Sequence, residues 1–398
     1  MNRVFWPLAA MTLTQAMVAM ALATVPVLAP ALAIALGVDG RMVGIYTALA
    51  FAGAMASTVI GGALVPRFGP IATSRASLIV TALALALTAL GSLPLVLFGA
   101  VAAGLGYGLA TPAASHVLAR RSPDALRGLV FSIKQSAVPV GGLLAGLMVP
   151  PIVLVAGWEA AVICVAGLVA AAGLALGPLR ASQDDDRQPG LAIAIDAPWQ
   201  SMRLVLGHPI LRRLALTTLV FSSVHGSVMA IMVSALVYQA DLTLVAAGAV
   251  FSAMQAAGVI ARVAFGWVSD RLIAARPLMG LIGVAIFAAA ILLANLSPDW
   301  SIGGILAAAV FAGICISGWP GVYLAEVARS VPQQTVGAAT GGTVFFSFLG
   351  TVIGPAGFSL IVAATDRYAP AFAIFGTAAL IVATILLVGH ARGRGREA

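Results

Sequence analysis

The sequence predicts an all-α membrane protein of about twelve transmembrane helices, arranged as two pseudo-symmetric bundles of six. Of its 398 residues, 61% are hydrophobic and 9% are charged, and the mean hydropathy is +1.08, whereas soluble domains carry roughly 25% charged residues. The apolar residues form about twelve runs long enough to cross a bilayer, and the second half of the chain partly repeats the first. We therefore expect a multi-pass membrane protein.

The apolar runs can be placed in order along the chain. A helix that crosses ~30 Å of hydrocarbon needs about 20 mostly apolar residues. Runs of this kind lie at 6–34, 42–64, 76–93, 95–119, 128–153, 158–178, 212–238, 244–268, 278–296, 301–326, 337–364 and 370–389. The breaks between them hold turn residues and charges, as in GVDGR, PRFGP and TDRY. The first run is too long for a signal-peptide core, so we expect it to remain as a span.

The arginines predict the orientation of these spans. If the first loop lies outside, seventeen arginines fall on the inner side and only Arg41 and Arg367 fall on the outer side. Because basic loops stay in the cytoplasm, both termini are expected there, with the protein in a bacterial-type inner membrane. The net charge of +8 is then a topology signal, and we expect no nucleic-acid partner.

A polar segment between the sixth and seventh runs divides the chain. It predicts an N-terminal bundle at 1–178, a cytoplasmic linker at 179–211, a C-terminal bundle at 212–389 and a cytoplasmic tail at 390–398. The aspartates at 184–186 are compatible with a cation site or with a solvated acidic patch in a mobile loop, and we favour the patch.

The two cysteines do not suggest a disulfide or a metal site. Cys164 and Cys315 each lie inside an apolar run. Free cysteine behaves as a small hydrophobic residue, so we predict that both are buried packing residues.

The second half of the chain repeats parts of the first. At a shift of 209 residues, ARRSPDALRG at 119–128 lies over ARSVPQQTVG at 328–337, and the same shift places Gly104 on Gly313 and Gly141 on Gly350. A shift of 204 places Gly62 on Gly266. Two parallel six-helix halves are a known transporter plan, with the substrate site near the midplane between them.

With these features the chain resembles the major facilitator superfamily over nearly its whole length. In GWVSDRL, the residues Gly266, Asp270 and Arg271 match the Gly-x-x-x-Asp-Arg loop motif of that family. The equivalent loop, GALVPRFG, keeps three motif residues but has Pro66 where the family usually has Asp; the three are Gly62, Arg67 and Gly69. The resemblance implies that these loops form a cytoplasmic latch, that transport proceeds by alternating access without a cofactor, and that the protein is a monomer.

Two basic residues lie inside predicted spans, Lys134 on the fifth and Arg262 on the eighth. Lys134 is the only lysine of the chain, and either it binds substrate or its stem carries the ammonium to the interface. The family fold implies that these two spans face each other. Because none of the thirteen acidic residues lies in the middle of a span, we expect a small anionic substrate to balance the basic pair.

Arg262 carries a second resemblance. The pattern Arg262, Gly266, Asp270 is similar to span 8 of the monocarboxylate porters and of the oxalate:formate antiporter, where the arginine binds a substrate carboxylate. A guanidinium suits this role because it can donate two parallel hydrogen bonds to a carboxylate. In the alternative, Arg262 braces the loop through Asp270.

Other candidate residues are polar side chains near mid-membrane or on helices that line the cavity in this family. His225 and Glu326 could carry a coupling proton, although a histidine in a helix can also be a hydrogen-bonded packing residue. Further candidates could shape the substrate site or could simply pack: Gln15, Tyr107, Trp319 and Tyr323.

The sequence thus predicts a secondary carrier for a small organic anion, in particular a monocarboxylate, coupled to a proton or to a counter-anion. Proton-coupled efflux of drug-like or hydrophobic compounds is the alternative. An enzyme is not expected, because the four histidines are scattered and no HExxH, nucleophile-elbow or phosphate-loop motif occurs.

Overall fold

The computed structural model describes residues 2–122, 127–191, 198–332 and 335–394, and within these ranges the chain is helical, with no β-strand. In hydrocarbon no water can bind the backbone N–H and C=O groups, and a helix satisfies them internally. Eleven helical segments in this part of the chain are long and apolar enough to cross a membrane. The predicted all-α fold of about twelve transmembrane helices is confirmed.

The first half of the chain contains six helices. Their bounds are α1 Asn2–Leu36, α2 Val43–Phe68, α3 Pro70–Thr88, α4 Leu93–Arg121, α5 Arg127–Ala175 and α6 Arg180–Gln183. Helix α5 is interrupted at Gly157, whose φ of 88° is open to glycine but costly for other residues. Because the chain turns there without a loop, the fifth and sixth predicted spans form one continuous segment, Val130–Gln183.

The second half contains eight helices. Their bounds are α7 Pro198–Gly207, α8 Pro209–Tyr238, α9 Leu244–Arg271, α10 Ala275–Ala294, α11 Ile302–Ser317, α12 Pro320–Arg329, α13 Val336–Thr365 and α14 Tyr368–Arg394. The tenth predicted span is therefore divided into α11 and α12. The predicted tail lies outside the described residues from position 395 onward.

The chain divides into two compact units. The N-unit comprises Met1–Asp196 and Leu244–Ser252, and the C-unit comprises Ala197–Thr243 and Ala253–Ala398. The first part of the predicted linker belongs to the N-unit, whereas α7 belongs to the C-unit.

The repeat seen in the sequence recurs in the packing inside each unit. In the N-unit, a methyl group at Gly104 of α4 would lie 3.0 Å from the Ala50 Cα of α2. In the C-unit, a methyl group at Gly313 of α11 would lie 2.8 Å from the Met254 carbonyl carbon of α9. Gly313 corresponds to Gly104 at the shift of 209, and Met254 corresponds to Ala50 at the shift of 204. The same helix contact therefore occurs once in each unit.

A second pair of glycines shows the same correspondence. A methyl group at Gly141 of α5 would lie 2.6 Å from the Met20 N of α1, and one at Gly350 of α13 would lie 3.1 Å from the Leu219 Cα of α8. Small residues at such positions allow the helix backbones to approach closely.

The cysteines require one correction. Cys315 is buried as predicted, but Cys164 is exposed, so the prediction of a buried Cys164 was wrong. Helix faces that meet lipid are as apolar as those that meet protein, and apolar neighbours in the sequence therefore cannot distinguish the two.

Candidate functional site

A helix break organises the polar groups of the C-unit. Helix α11 ends at Ser317, and α12 begins at Pro320 after Gly318 and Trp319. In an unbroken helix the carbonyl of Ile316 would accept the N–H of the fourth residue after it, but that residue is proline and has no N–H. The Ile316 carbonyl therefore needs another donor, because an unsatisfied backbone group is costly inside a membrane protein.

His225 of α8 supplies that donor. Its Nδ1 lies 3.0 Å from the Ile316 carbonyl oxygen, and the side chain is half-buried. Because a carbonyl can only accept, Nδ1 must carry the hydrogen of this bond, and Nε2 is the nitrogen at which a neutral ring accepts a proton. The backbone contact thus fixes both the orientation and the tautomer of the imidazole.

Arg262 of α9 binds the next carbonyl of the same break. Its Nε donates to the Ser317 carbonyl oxygen at 3.0 Å, and the side chain is half-buried. Asp270, the partner of Arg262 in the alternative prediction, accepts through Oδ1 from Arg329 Nη2 at 2.8 Å. His225 and Arg262 are therefore brought together on adjacent carbonyls.

An aromatic series lies beside the break. The rings of Phe221, Trp319 and Tyr323 meet edge to face, with centroids 5.7 Å apart in each successive pair. Thr218 and Thr343 face the Tyr323 hydroxyl. The Trp319 and Tyr323 side chains are buried.

Several polar atoms of this region are buried without a hydrogen-bond partner in the described part of the chain. They include Ser317 Oγ and Trp319 Nε1, together with Gln255 Oε1 one turn before Gly258, which packs on Ser317. Since buried polar atoms are nearly always bonded to protein or to water, such a group is typical of a site that water or a ligand fills.

Glu326, the other candidate proton carrier, lies apart from the break. Its carboxylate forms an ion pair with Arg276 Nε and also accepts from Ser330 Oγ at 3.4 Å.

In the N-unit, the candidate residues lie on three helices. Lys134 of α5 is 2% exposed, which does not fit a stem that reaches the surface, and its Nζ donates to Gln135 Oε1 at 3.2 Å. Tyr107 of α4 meets Phe51 edge to face at 5.6 Å. Gln15 of α1 is 1% exposed, and neither its Oε1 nor its Nε2 has a partner within the described ranges.

The predicted latch residues differ in how closely the structure surrounds them. Gly62 and Gly266 have open space where a Cβ would stand, and Arg271 is exposed. Gly69 has a φ of 95°, and Arg67 Nη1 donates to the Leu191 carbonyl at 3.2 Å. Gly69 is therefore the latch position at which the backbone requires glycine.

The acidic run of the linker is a set of residues whose contacts sequence reasoning missed. Asp184 is 4% exposed, and the aspartates at 184–186 bind α3 and α4. The prediction of a solvated patch was wrong for Asp184, whereas the Asp185 side chain is 52% exposed. One signal in the sequence could have indicated these contacts. The motif lacks its usual carboxylate at Pro66, and the linker carries three aspartates, at 184–186, that could take its place.

Comparison with known proteins agrees with this architecture. The family model described as Major Facilitator Superfamily matches residues 11–355. Two solved structures of a bacterial homologue of the human lysosomal transporter Spinster, both inward-facing, resemble the chain at 16% identity. The occupied form has a TM-score of 0.74 and covers 96% of this chain and 95% of that one. The unoccupied form has a TM-score of 0.73 and covers 97% and 95%. A search of curated proteins found no match.

Proposed function

The chain belongs to the Major Facilitator Superfamily, whose members carry out secondary transport by alternating access, and on this basis we propose that it transports a small organic anion of the monocarboxylate class. The anion would be bound in the C-unit at the break between α11 and α12. Coupling would be to a proton or to a counter-anion.

The observation that carries this proposal is the set of buried donors at the break. Ser317 Oγ and Trp319 Nε1 can each donate a hydrogen, and neither makes a hydrogen bond in the described part of the chain. The indole N–H can only donate. A carboxylate offers two oxygens with about four lone-pair sites and no donor, so it complements such a group.

The position of Arg262 supports the same ligand. Its bond to the Ser317 carbonyl holds the guanidinium next to the residue that also carries the Ser317 hydroxyl. Bonds from a guanidinium to a carboxylate are roughly twice as strong as neutral hydrogen bonds.

Gln15, Lys134 and Tyr107 of the N-unit remain our further candidates for polar contacts to substrate. The Gln15 amide is the strongest of these candidates because both of its polar atoms are buried without a partner in the described residues. A buried amide in this state is costly unless a ligand or water completes its hydrogen bonds.

His225 is our candidate for proton coupling. Its Nδ1–H is committed to the Ile316 carbonyl, so a proton would be gained at Nε2 while the ring keeps its place. Glu326 is less suited to this role because Arg276 holds its carboxylate.

Proton-coupled efflux of hydrophobic compounds is the second candidate function. It is favoured by the aromatic series of Phe221, Trp319 and Tyr323, since aromatic faces bind apolar and cationic ligands. An apolar crevice of about 280 Å³ between α1, α2 and α4 also fits this function, but it contains none of the predicted site residues.

The deciding experiment is uptake of a panel of labelled monocarboxylates into proteoliposomes under an imposed pH gradient. We expect saturable uptake of at least one acid, and Arg262→Lys should lower it roughly 10- to 100-fold, because a charge-assisted hydrogen bond contributes about 1.5–3 kcal/mol. Tyr323→Phe should also lower uptake while changing the melting temperature little, since the buried ring is kept and only a hydroxyl beside Thr218 and Thr343 is removed.

Tyr238→Phe is the matched control for the second substitution, because Tyr238 is exposed at the end of α8 and should transport normally. If no acid is taken up but a cationic dye moves with the proton gradient, the anion proposal is wrong and the efflux function replaces it.

A further inference from the structure

The N-unit lacks one carboxylate that the repeat places in the C-unit. At the shift of 204, Pro66 corresponds to Asp270, and at the shift of 209, Arg120 corresponds to Arg329. In the C-unit, the carboxylate of Asp270 pairs with Arg329 at 2.8 Å. In the N-unit, proline cannot offer Arg120 an equivalent acceptor.

The linker supplies acceptors to Arg120 instead. Its Nη2 lies 2.5 Å from Asp185 Oδ1, and its Nη1 lies 2.7 Å from Asp186 Oδ2. Arg121 pairs with Asp185 at 3.2 Å, and His116 Nε2 lies 2.8 Å from Asp186 Oδ2. The Arg120 guanidinium holds the pKa of Asp185 below its usual value. The end of α4 is therefore bound to two consecutive linker residues.

The preceding aspartate binds the start of α3. Asp184 Oδ1 accepts from the Ile71 N–H at 2.7 Å, and its Oδ2 accepts from the Ala72 N–H at 3.0 Å. These groups belong to the first turn of α3, where free N–H groups and the helix dipole favour an anion. Burial raises the pKa of Asp184, and the two hydrogen bonds from the backbone oppose this by lowering it. A methyl group at Gly69 would collide with this carboxylate.

The next linker residues continue along the same loop. The Gln188 N–H donates to the Pro66 carbonyl at 2.8 Å, and Arg67 Nη1 donates to the Leu191 carbonyl at 3.2 Å. We call residues 184–191 the strap. It contacts residues 66–72, where α2 ends and α3 begins and which we call the α2–α3 loop, at the position where the motif carboxylate is missing.

We propose that the strap replaces the missing motif carboxylate and acts as a detachable lock that joins the α2–α3 loop to the end of α4. In the C-unit, one residue of the motif makes the equivalent connection through Asp270 and Arg329. The strap can detach because its ion pairs with α4 are partly open to solvent, with the Arg120, Asp185 and Asp186 side chains 30%, 52% and 32% exposed, and pairs near the surface are weak and sensitive to salt.

Hydrogen exchange of the full-length protein in nanodiscs tests this proposal without a substrate, so its outcome is independent of the proposed anion. In Asp185→Asn/Asp186→Asn, we expect exchange about tenfold faster in peptides covering 66–72, 116–122 and 184–191. Adding Pro66→Asp should return 66–72 and 116–122 toward the wild-type rate, because Arg120 regains a carboxylate, while 184–191 stays fast.

Glu159→Gln/Asp299→Asn, which neutralises two carboxylates elsewhere, should exchange like the wild type in all three peptides. A thermal melt of each variant confirms that it is folded. As a measurement on the unaltered chain, about 1 M salt, where the Debye length is about 3 Å, should also accelerate exchange in the strap. Unchanged exchange in the aspartate variant, or no recovery with Pro66→Asp, would overturn the proposal.

Discussion

At Pro320 the chain lacks one backbone N–H, and this single absence shapes the polar chemistry of the C-unit. The carbonyls of Ile316 and Ser317 bind His225 and Arg262. Proline in a transmembrane helix is tolerated where neighbouring side chains satisfy the backbone groups that it leaves open. Here the neighbours that do so are the two basic residues that we assign to coupling and to substrate binding.

Replacement of His225 by glutamine separates its contact with the backbone from its proposed uptake of a proton. The glutamine amide can still donate to the Ile316 carbonyl, but it cannot take up a proton near neutral pH. We expect accumulation driven by a pH gradient to fall at least about tenfold, a loss of ~1.4 kcal/mol or more of coupling, while exchange between internal and external substrate persists. The measurement is uptake with and without the gradient.

His208→Gln serves as the comparison, because His208 caps the start of α8 through the Leu211 N–H and should keep gradient-driven uptake. Full accumulation in the His225 variant would remove this residue from the coupling mechanism.

At the scale of helices, close packing of α8 and α13 depends on glycine. A methyl group at Gly354 would lie 2.6 Å from the Ser223 Cα, whereas at Gly341 of the same helix nothing lies within 4 Å of that position. The two glycines therefore have different roles, although both belong to α13.

We expect Gly354→Ala to destabilise the protein by about 1–3 kcal/mol, because the helices must separate to admit the methyl group. Gly341→Ala should be neutral or stabilising by up to about 1 kcal/mol, since alanine favours the helix. Thermal unfolding of the two variants in the same detergent checks the difference. Equal melting temperatures would mean that α8 and α13 can separate at little cost.

Hydropathy and spacing could predict the helices and their repeat, but not the break in the tenth span. Pro320 and Gly318 lie in a run that is apolar enough to cross the membrane, and hydropathy does not register a missing N–H. For the same reason the sequence could nominate His225 and Arg262 but not the carbonyls that they bind. Those acceptors exist only because the helix is interrupted.

The linker shows a different limit of prediction. An acidic run flanked by polar residues has the composition of a solvated loop. Its partners lie far away in the sequence, with Arg120 and Asp185 separated by 65 positions. Only the fold brings these charges together, so the composition could not predict the burial of Asp184 or the ion pairs of Asp185 and Asp186.

At the scale of the whole molecule, the orientation in the membrane remains a prediction from the arginines. A fluorescent protein fused after the last residue should fluoresce in the bacterial cytoplasm, and alkaline phosphatase at that site should be inactive, because basic loops are retained inside. The same reporters inserted beside Arg367, on the predicted outer side, should give the opposite result. Phosphatase activity at the C-terminus would reverse the topology.

The position of the strap also bears on the order in which the protein is made. The contacts of the strap described above join residues between 66 and 191. Domains generally fold as units during synthesis, with the N-terminal one first. The ribosome therefore synthesises both partners of each of these bonds before it reaches α8. The strap can bind α3 and α4 while the second bundle is still untranslated.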